Sequence, residues 1–331
     1  MLKIDLGVDF LNINIGPNEA GQRLDKFLRK LLKDVPLSAI FKALRKGDIR
    51  VDGKKQKEKY ILNEGEVVEI RYIQSKREVK HNFQNADASG MKITYEDNNI
   101  LIAEKCPGML VHPDSKDGEP TLTDYVLSYL YEKGEYVPEN EVTFTPASCN
   151  RLDKNTSGIV IFGKNFEALR NLNEMIREDK IEKYYYTIVQ GRVKDGLLTA
   201  YIVKNPEKNI SKIYDEKVPN SKEIKMKVKT VETNGAYSFL EIHLITGRSH
   251  QIRAHLAHIG NPIIGDTKYG KKEINVAFRN KFGLDFQFLY AYKLIFRETS
   301  GNLEYLKNKT IAQALPPLLK KIKQDVFKVT I

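Results

Sequence analysis

The residues best suited to chemistry lie in four polar segments marked by glycine or proline at turns: 107–113, 150–158, 183–191 and 246–253. In the second segment, Asp153 is a carboxylate with the cations Arg151 and Lys154 close by in sequence. Carboxylates act as nucleophiles or acid–base groups on sugars. A protein that only bound a polyanion would gain nothing from an acid in a basic cleft, because the acid would repel phosphate. The pattern therefore indicates catalysis centred on Asp153.

The charge of the chain indicates a polyanionic partner. The 331 residues carry a formal net charge of +11, and residues 1–80 alone contain 18 basic and 12 acidic side chains. An excess of this kind is typical of proteins that bind nucleic acid. The first quarter of the chain is therefore predicted to be the part that docks the polyanion.

Several other classes of protein do not fit the composition. No run approaches the roughly 18 apolar residues of a membrane span, and no signal sequence is recognisable, so we expect a cytoplasmic protein. Cys106 and Cys149 form neither a disulfide framework nor a zinc set. His250, His255 and His258 lack the spacing of a metal site. We expect no metal and no small-molecule cofactor.

The N-terminal residues 1–75 are predicted to form a small domain. Apolar residues from Leu24 to Leu32 have helical spacing, a second helix is expected from a Ser38 cap to Gly47, and short strands follow as far as residue 73. Their order and motifs resemble the α-L RNA-binding module of ribosomal small-subunit protein four. The cations of this module that we expect to contact RNA are Lys42, Arg45, Lys46 and Arg50.

A larger domain is predicted to position the four polar segments. Residues 76–90 are polar without an apolar period and indicate a linker, which leaves 91–331 for the second domain. Strands are expected at 100–103, 159–162, 185–189, 223–230 and 239–245, and helices at 121–132 and 166–178. We predict an α+β fold with a mainly antiparallel sheet, flanking helices and a central cleft.

The four segments together resemble the A family of ribosomal-large-subunit pseudouridine synthases. Arg151-Leu152-Asp153 followed by Thr156-Ser157-Gly158 matches its catalytic motif, and the downstream segments 261–266 and 269–270 fit as well. The resemblance implies that uridine is isomerised to pseudouridine, with Asp153 as the catalytic residue. It also implies that Arg248 pairs with Asp153 and that Tyr185 stacks beneath the target uracil. A buried carboxylate needs such a cation to stay ionised.

Further residues of the matched segments are expected to contact RNA, which would be the partner of a monomeric protein. Arg151 could fill the space that a flipped uridine leaves or grip its phosphate. The other candidates in the second domain are Thr156, His250, Gln251 and Arg253. The sequence departs from the family pattern at Asn150, Thr187 and Tyr290, which affects the expected RNA contacts and target choice rather than the reaction.

Three alternatives remain open at this stage. The same charge and N-terminal module would suit a non-catalytic RNA-binding protein of ribosome assembly. A nucleoside hydrolase could also use one carboxylate against a sugar, and would release free base. A synthase of this family could also act on transfer RNA. The two-domain layout favours large-subunit (23S) ribosomal RNA as the target.

Overall fold

The N-terminal domain is a small α/β unit. The computed structural model describes residues 10–73, 86–113, 118–138, 141–205 and 207–328. The elements of the first range are β1 (Phe10–Asn14), α1 (Leu24–Leu31), α2 (Leu37–Lys46), β2 (Ile49–Val51) and β3 (Val67–Arg71). The strands form an antiparallel sheet in the order β1-β3-β2. Leu24, Phe27 and Leu28 of α1 are fully buried in its core.

The predicted helices of this domain are confirmed, with one correction at an end. α2 begins at Leu37 and its N-cap is Pro36, so the expected Ser38 cap is wrong. Proline cannot donate a backbone hydrogen bond, and a helix N-terminus leaves its first N–H groups unpaired in any case. Gly47 ends α2 with φ 84°, as expected for a helix C-terminus.

The second domain is built on a large mixed sheet. Its strands are β4 (Ile93–Glu96), β5 (Ile100–Lys105), β6 (Ala147–Ser148), β7 (Ser157–Gly163), β8 (Ile181–Gln190), β9 (Gly196–Asn205), β10 (Ile210–Tyr214), β11 (Lys222–Thr233), β12 (Tyr237–Leu244), β13 (Leu289–Phe296) and β14 (Thr310–Ala312). Its helices are α3 (Leu122–Glu132), α4 (Phe166–Arg177), α5 (Gln251–His258), α6 (Lys272–Phe282) and α7 (Pro317–Val326). The expected α+β fold is confirmed.

The order of the strands brings distant segments side by side. The main path is β10-β9-β11-β12-β8-β13-β7-β5-β4. Among the described residues, β13 and β7 form the one parallel pair, so the sheet is mainly antiparallel as predicted. β13 pairs with β8 at Ala291 and Tyr185, and with β7 at Ala291 and Gly158. The start of β7 and the middle of β8 therefore lie two strands apart.

The predicted linker is shorter than expected. Residues 76–85 lie outside the described residues, but 86–90 belong to the second domain. Ala86 and Ala88 are buried, and the Ala86 N–H donates to Ser128 Oγ of α3 at 2.9 Å. The sequence gives no sign of this burial, because the two alanines lie between polar residues and follow no helical or strand period.

The two domains are joined by polar contacts. Asn18 Nδ2 donates to the Glu141 carboxylate at 3.0 Å, and Gln22 Nε2 donates to Thr143 Oγ1 at 3.2 Å. Asn18 Oδ1 accepts from the N–H of Phe166 at the start of α4.

Within the described ranges, every helix is too short or too polar to cross a membrane.

Candidate functional site

Asp153 lies in the loop that leads into β7, and this loop is fixed from two sides. The Thr156 N–H donates to the Asp153 carbonyl at 3.0 Å, which closes a tight turn. The next carbonyl, that of Lys154, accepts hydrogen bonds from Lys105 Nζ at 2.8 Å and from the Gly108 N–H at 3.0 Å. The Asp153 side chain is 26% exposed, so the carboxylate is anchored and still reachable.

Gly158 explains why the loop can lie so close to β13. Its φ is 123°, and a Cβ at this position would stand 2.2 Å from the carbonyl oxygen of Ala291. A larger residue would therefore push β7 away from β13. The glycine of the matched motif is a packing requirement.

Arg253, on the first turn of α5, connects two carboxylates. Its Nη1 donates to Asp153 Oδ2 at 2.8 Å, while its Nε and Nη2 donate to the two oxygens of Asp266 at 2.7 and 2.9 Å. Asp266 is fully buried and also accepts from the N–H groups of Lys268 and Tyr269. The bidentate pair with Asp266 fixes the plane of the guanidinium, which in turn directs Asp153.

The prediction that Arg248 pairs with Asp153 is wrong. Arg248 is exposed, and Arg253 makes the ion pair instead. Both arginines occur in the same eight-residue segment, and the phase of α5 separates them. Since α5 begins at Gln251, Arg253 lies on its buried side, whereas Arg248 precedes the helix on the solvent side.

Tyr185 lies on the face of β8 that leads to Asp153. It is buried, and burial together with the Asp153 charge raises the pKa of its phenol. Tyr184 stacks on His243 and Tyr186 stacks on Tyr292, with ring centroids 4.8 and 3.7 Å apart. Because strand residues alternate between faces, Tyr184 and Tyr186 lie on the opposite face of β8 from Tyr185. That Tyr185 lines the substrate pocket stays a prediction.

Lys105, at the end of β5, is a residue of the site that sequence reasoning missed. Its side chain is fully buried, and its Nζ donates to the carbonyls of Cys106, Met109 and Lys154 at 2.8–2.9 Å. Burial lowers the pKa of Lys105 to about 8, while the charge of Asp153 opposes that shift. A lysine at the polar end of a strand gives no sign in the sequence that it is buried.

Three residues expected to contact RNA have partners within the protein. Thr156 is buried and accepts from Gln287 Nε2 at 3.0 Å. Gln251 is buried, accepts from Thr246 Oγ1 at 2.9 Å and donates to the Lys225 carbonyl. Arg253 is buried between its two carboxylates. The burial and intramolecular partners of these three side chains disfavour direct contact with RNA, and their RNA contacts stay predictions.

The remaining RNA-contact candidates are placed where RNA could reach them, and their role stays a prediction. Arg151, Lys42, Arg45 and Lys46 are exposed. Arg50 is half-buried and donates to the carbonyls of Gly47 and Gly53, so it also holds the turn between β2 and β3.

His250 lies beside Asp153, with 3.9 Å between its Nε2 and Asp153 Oδ2.

No group of three or more histidine, cysteine or acidic residues within the described ranges is arranged to bind a metal ion.

Each of the three departures from the family pattern makes a hydrogen bond within the protein. Asn150 Oδ1 accepts from the Ile161 N–H at 2.9 Å, and Thr187 Oγ1 donates to the Phe288 carbonyl at 2.6 Å. The Tyr290 hydroxyl donates to Glu104 Oε1 at 2.9 Å. None of these contacts involves Asp153 or Arg253, so the departures leave the ion-pair network intact.

Taken together, the geometry provides an oriented and partly exposed carboxylate whose charge reaches the buried ring of Tyr185. Arg253 forms an ion pair with the carboxylate and fixes its direction. Such a group can attack an electrophilic carbon of a bound substrate. The ring supplies a flat apolar surface of the kind that nucleobases stack on.

Comparison with known proteins agrees with this geometry. Residues 99–258 match the family described as RNA pseudouridylate synthase, and residues 22–68 match the S4 domain. The chain is 30% identical to ribosomal large subunit pseudouridine synthase C of Vibrio cholerae, over 94% of this chain and 96% of that protein. It is 34% identical to the Escherichia coli protein of the same name, over 86% of this chain and 88% of that protein.

A solved structure shares the fold. Human RNA pseudouridylate synthase domain containing 4 superposes with a TM-score of 0.56 at 21% identity, covering 71% of this chain and 92% of that one. At this level of identity the likeness shows the fold alone.

Proposed function

Since this chain belongs to the RNA pseudouridylate synthase family, we propose that it isomerises uridine to pseudouridine in large-subunit ribosomal RNA. The reaction breaks the N1–C1′ bond of uridine and joins C1′ to C5. C5 loses a proton and N1 gains one, with no redox change and no external group transferred. A nucleophile and a closed pocket are sufficient for this chemistry.

Asp153 is the nucleophile in this proposal, and its contact with Arg253 is the observation that carries it. A nucleophilic carboxylate must be ionised and must point at the substrate. Arg253 supplies the positive charge, and Asp266 fixes the direction of Arg253. A binding protein has no need of this arrangement, which disfavours the non-catalytic alternative.

Tyr185 forms the floor of the uracil site in the proposed complex. Its ring is buried beside Asp153, and its pKa is raised, so the phenol stays protonated near neutral pH. A neutral ring can stack on a flipped base without adding charge to the pocket.

The N-terminal domain docks the RNA in this proposal. The S4 match lies within residues 1–75, and Lys42, Arg45 and Lys46 are exposed on α2. Exposed cations bind phosphates with an affinity that depends on salt. In this proposal the second domain carries the reaction. A cytoplasmic location and a monomeric state stay predictions.

Tritium release tests both the reaction and the target class. The purified protein is incubated with large-subunit ribosomal RNA and with transfer RNA transcripts, each carrying uridine tritiated at C5. We expect tritium release from the ribosomal transcript and no free uracil. Free uracil would indicate a hydrolase, release from transfer RNA alone would indicate the other target class, and binding without release would indicate a non-catalytic protein.

A further inference from the structure

His250 has a backbone conformation that is unusual for a side chain of its size. Its φ is 58° and its ψ is 15°, in the left-handed region, at the N-cap of α5. Residues other than glycine rarely adopt this conformation, although histidine, asparagine and aspartate tolerate it best. Such strain persists where the surrounding structure holds the residue in place, and it clusters at active sites.

Tyr269 fixes the orientation of the His250 ring. Its hydroxyl oxygen lies 2.9 Å from His250 Nδ1 and accepts from the Ser211 N–H of β10 at 2.7 Å. Because Ser211 supplies its own proton, the hydroxyl hydrogen of Tyr269 is available to Nδ1. This arrangement favours a neutral His250 with its ring proton on Nε2, the atom that faces Asp153. The other tautomer would turn a lone pair of Nε2 toward the carboxylate.

The surroundings also favour the neutral imidazole. Burial lowers the pKa of His250, and the charges of Arg253 and Lys268 act in the same direction, while Asp153 and Asp266 oppose it. The positive end of the α5 dipole adjoins the ring and disfavours a second proton. A charged imidazole would compete with Arg253 for the Asp153 carboxylate, and this second ion pair would make the carboxylate less reactive as a nucleophile.

We propose that His250 is a further catalytic residue, whose neutral Nε2–H donates a hydrogen bond to the uracil as the N1–C1′ bond breaks. This inference rests on the proposed function. The electron pair of the broken bond stays with the uracil, so negative charge develops on N1 and on the carbonyl oxygens. His250 stabilises that charge without giving up its proton. As the N1–C1′ bond breaks, the Asp153 carboxylate bonds to C1′. The uracil then turns, C5 bonds to C1′ and the C1′–O bond to Asp153 breaks, which frees the carboxylate. The C5 proton passes to solvent and N1 takes a proton from solvent.

The distances are compatible with this role. Nε2 of His250 and Oδ2 of Asp153 are 3.9 Å apart, longer than a hydrogen bond. The donor is therefore not occupied by the carboxylate and is available to a uracil bound beside Asp153. A preorganised donor at a developing negative charge typically contributes roughly 10²–10³-fold to the rate.

The first test is spectroscopic and does not depend on activity. The full-length protein is labelled with ¹⁵N-histidine and titrated, and the His250 signals are assigned with a His250→Asn variant. Asparagine tolerates the left-handed conformation, so this variant should fold. We expect a neutral ring with the proton on Nε2 at pH 7, and a raised pKa of His250 in Tyr269→Phe. A charged ring or a proton on Nδ1 would overturn the proposal.

The second test is kinetic. In single-turnover tritium release, His250→Asn should be slower by roughly 100-fold, with an RNA Kd within about threefold of wild type. Tyr269→Phe should move the acid limb of the pH–rate profile to higher pH. His258→Asn, on the exposed side of α5, is the matched control.

The outcomes separate this role from the proposed function. If the wild-type protein is active and His250→Asn releases tritium within about threefold of it, only the His250 role is overturned. A loss of rate matched by an equal loss of RNA affinity would reduce His250 to an RNA contact. If the wild-type protein releases no tritium from any RNA, the proposed function fails as well.

Discussion

The cations of the N-terminal domain and those of the Asp153 site differ in what they contact. Lys42, Arg45 and Lys46 are exposed to solvent. Arg253 and Lys105 are buried and donate hydrogen bonds to oxygen atoms of the protein itself. The first group is free to bind phosphate. In the second group, Arg253 binds the carboxylates of Asp153 and Asp266, and Lys105 binds backbone carbonyls around the Asp153 loop.

This difference separates two kinds of functional charge. An exposed cation acts through salt-dependent attraction and contributes little to stability. A buried cation between carboxylates contributes to stability and geometry, because its loss leaves buried charges without a partner. Substitutions in the two regions should therefore change different measurements.

The largest effect should follow from Arg253→Met. This change leaves Asp266 buried without its cation and should lower the free energy of unfolding by about 3–5 kcal/mol. Arg248→Met, from the same segment but exposed, should change it by less than about 0.5 kcal/mol. Urea unfolding followed by circular dichroism measures both. Equal losses in the two variants would remove the distinction between buried and exposed arginines.

The burial of the Lys105 ammonium should make the stability difference between the wild type and Lys105→Met depend on pH. The pKa of Lys105 is about 8 in the folded protein and 10.5 in the reference state, so the unfolded chain binds more protons between these values. The stability of the wild type relative to Lys105→Met should therefore rise across this window, by roughly 3 kcal/mol. Unfolding free energies of both proteins at pH 7.5 and pH 10 give this difference. A constant difference would contradict a buried, charged Lys105.

Thr156→Val should affect stability and not RNA affinity. It removes the acceptor of the buried Gln287 amide, which costs about 1–3 kcal/mol. Thr156→Ser keeps the hydroxyl and serves as the control. Thermal unfolding and RNA binding are measured on both variants. A fall in RNA affinity with unchanged stability would restore the RNA contact first expected for this residue.

The smallest effect per residue should come from the N-terminal cations. Exchanging Lys42, Arg45 and Lys46 for glutamine should make the slope of log Kobs against log salt shallower by about 2–3, with unchanged unfolding. The matched control exchanges three exposed lysines of the second domain: Lys272, Lys320 and Lys321. Filter binding over a range of salt concentrations measures the slope. The same change of slope in both triple variants would contradict a special docking role of the N-terminal domain.

The sequence predicted the parts of this molecule that have a period or a linear motif. The helical spacing from Leu24 and the alternation in β11 both reflect one buried face, and the structure confirms both elements. The motif around Asp153 also located the loop before β7. In contrast, the partner of Asp153 depends on where α5 begins, and the sequence does not fix the phase of a helix by itself.

Burial of polar residues was the other limit. Thr156, Gln251 and Lys105 are buried, and each has at least one hydrogen-bond partner in a distant segment. Gln287, for example, is 131 positions away from Thr156. Such pairs form only once the order of the strands is set, and no local pattern encodes them.

The most direct test of the account is single-turnover tritium release by Asp153→Asn. Asparagine keeps the size of the side chain and an oxygen that can accept from Arg253, so the protein should fold and bind RNA within about threefold of wild type. We predict a loss of rate of roughly 10⁴-fold or more, as expected when a nucleophile is removed. Asp215→Asn, an exposed carboxylate beside His258, is the control. Tritium release at the wild-type rate from Asp153→Asn would contradict the central claim.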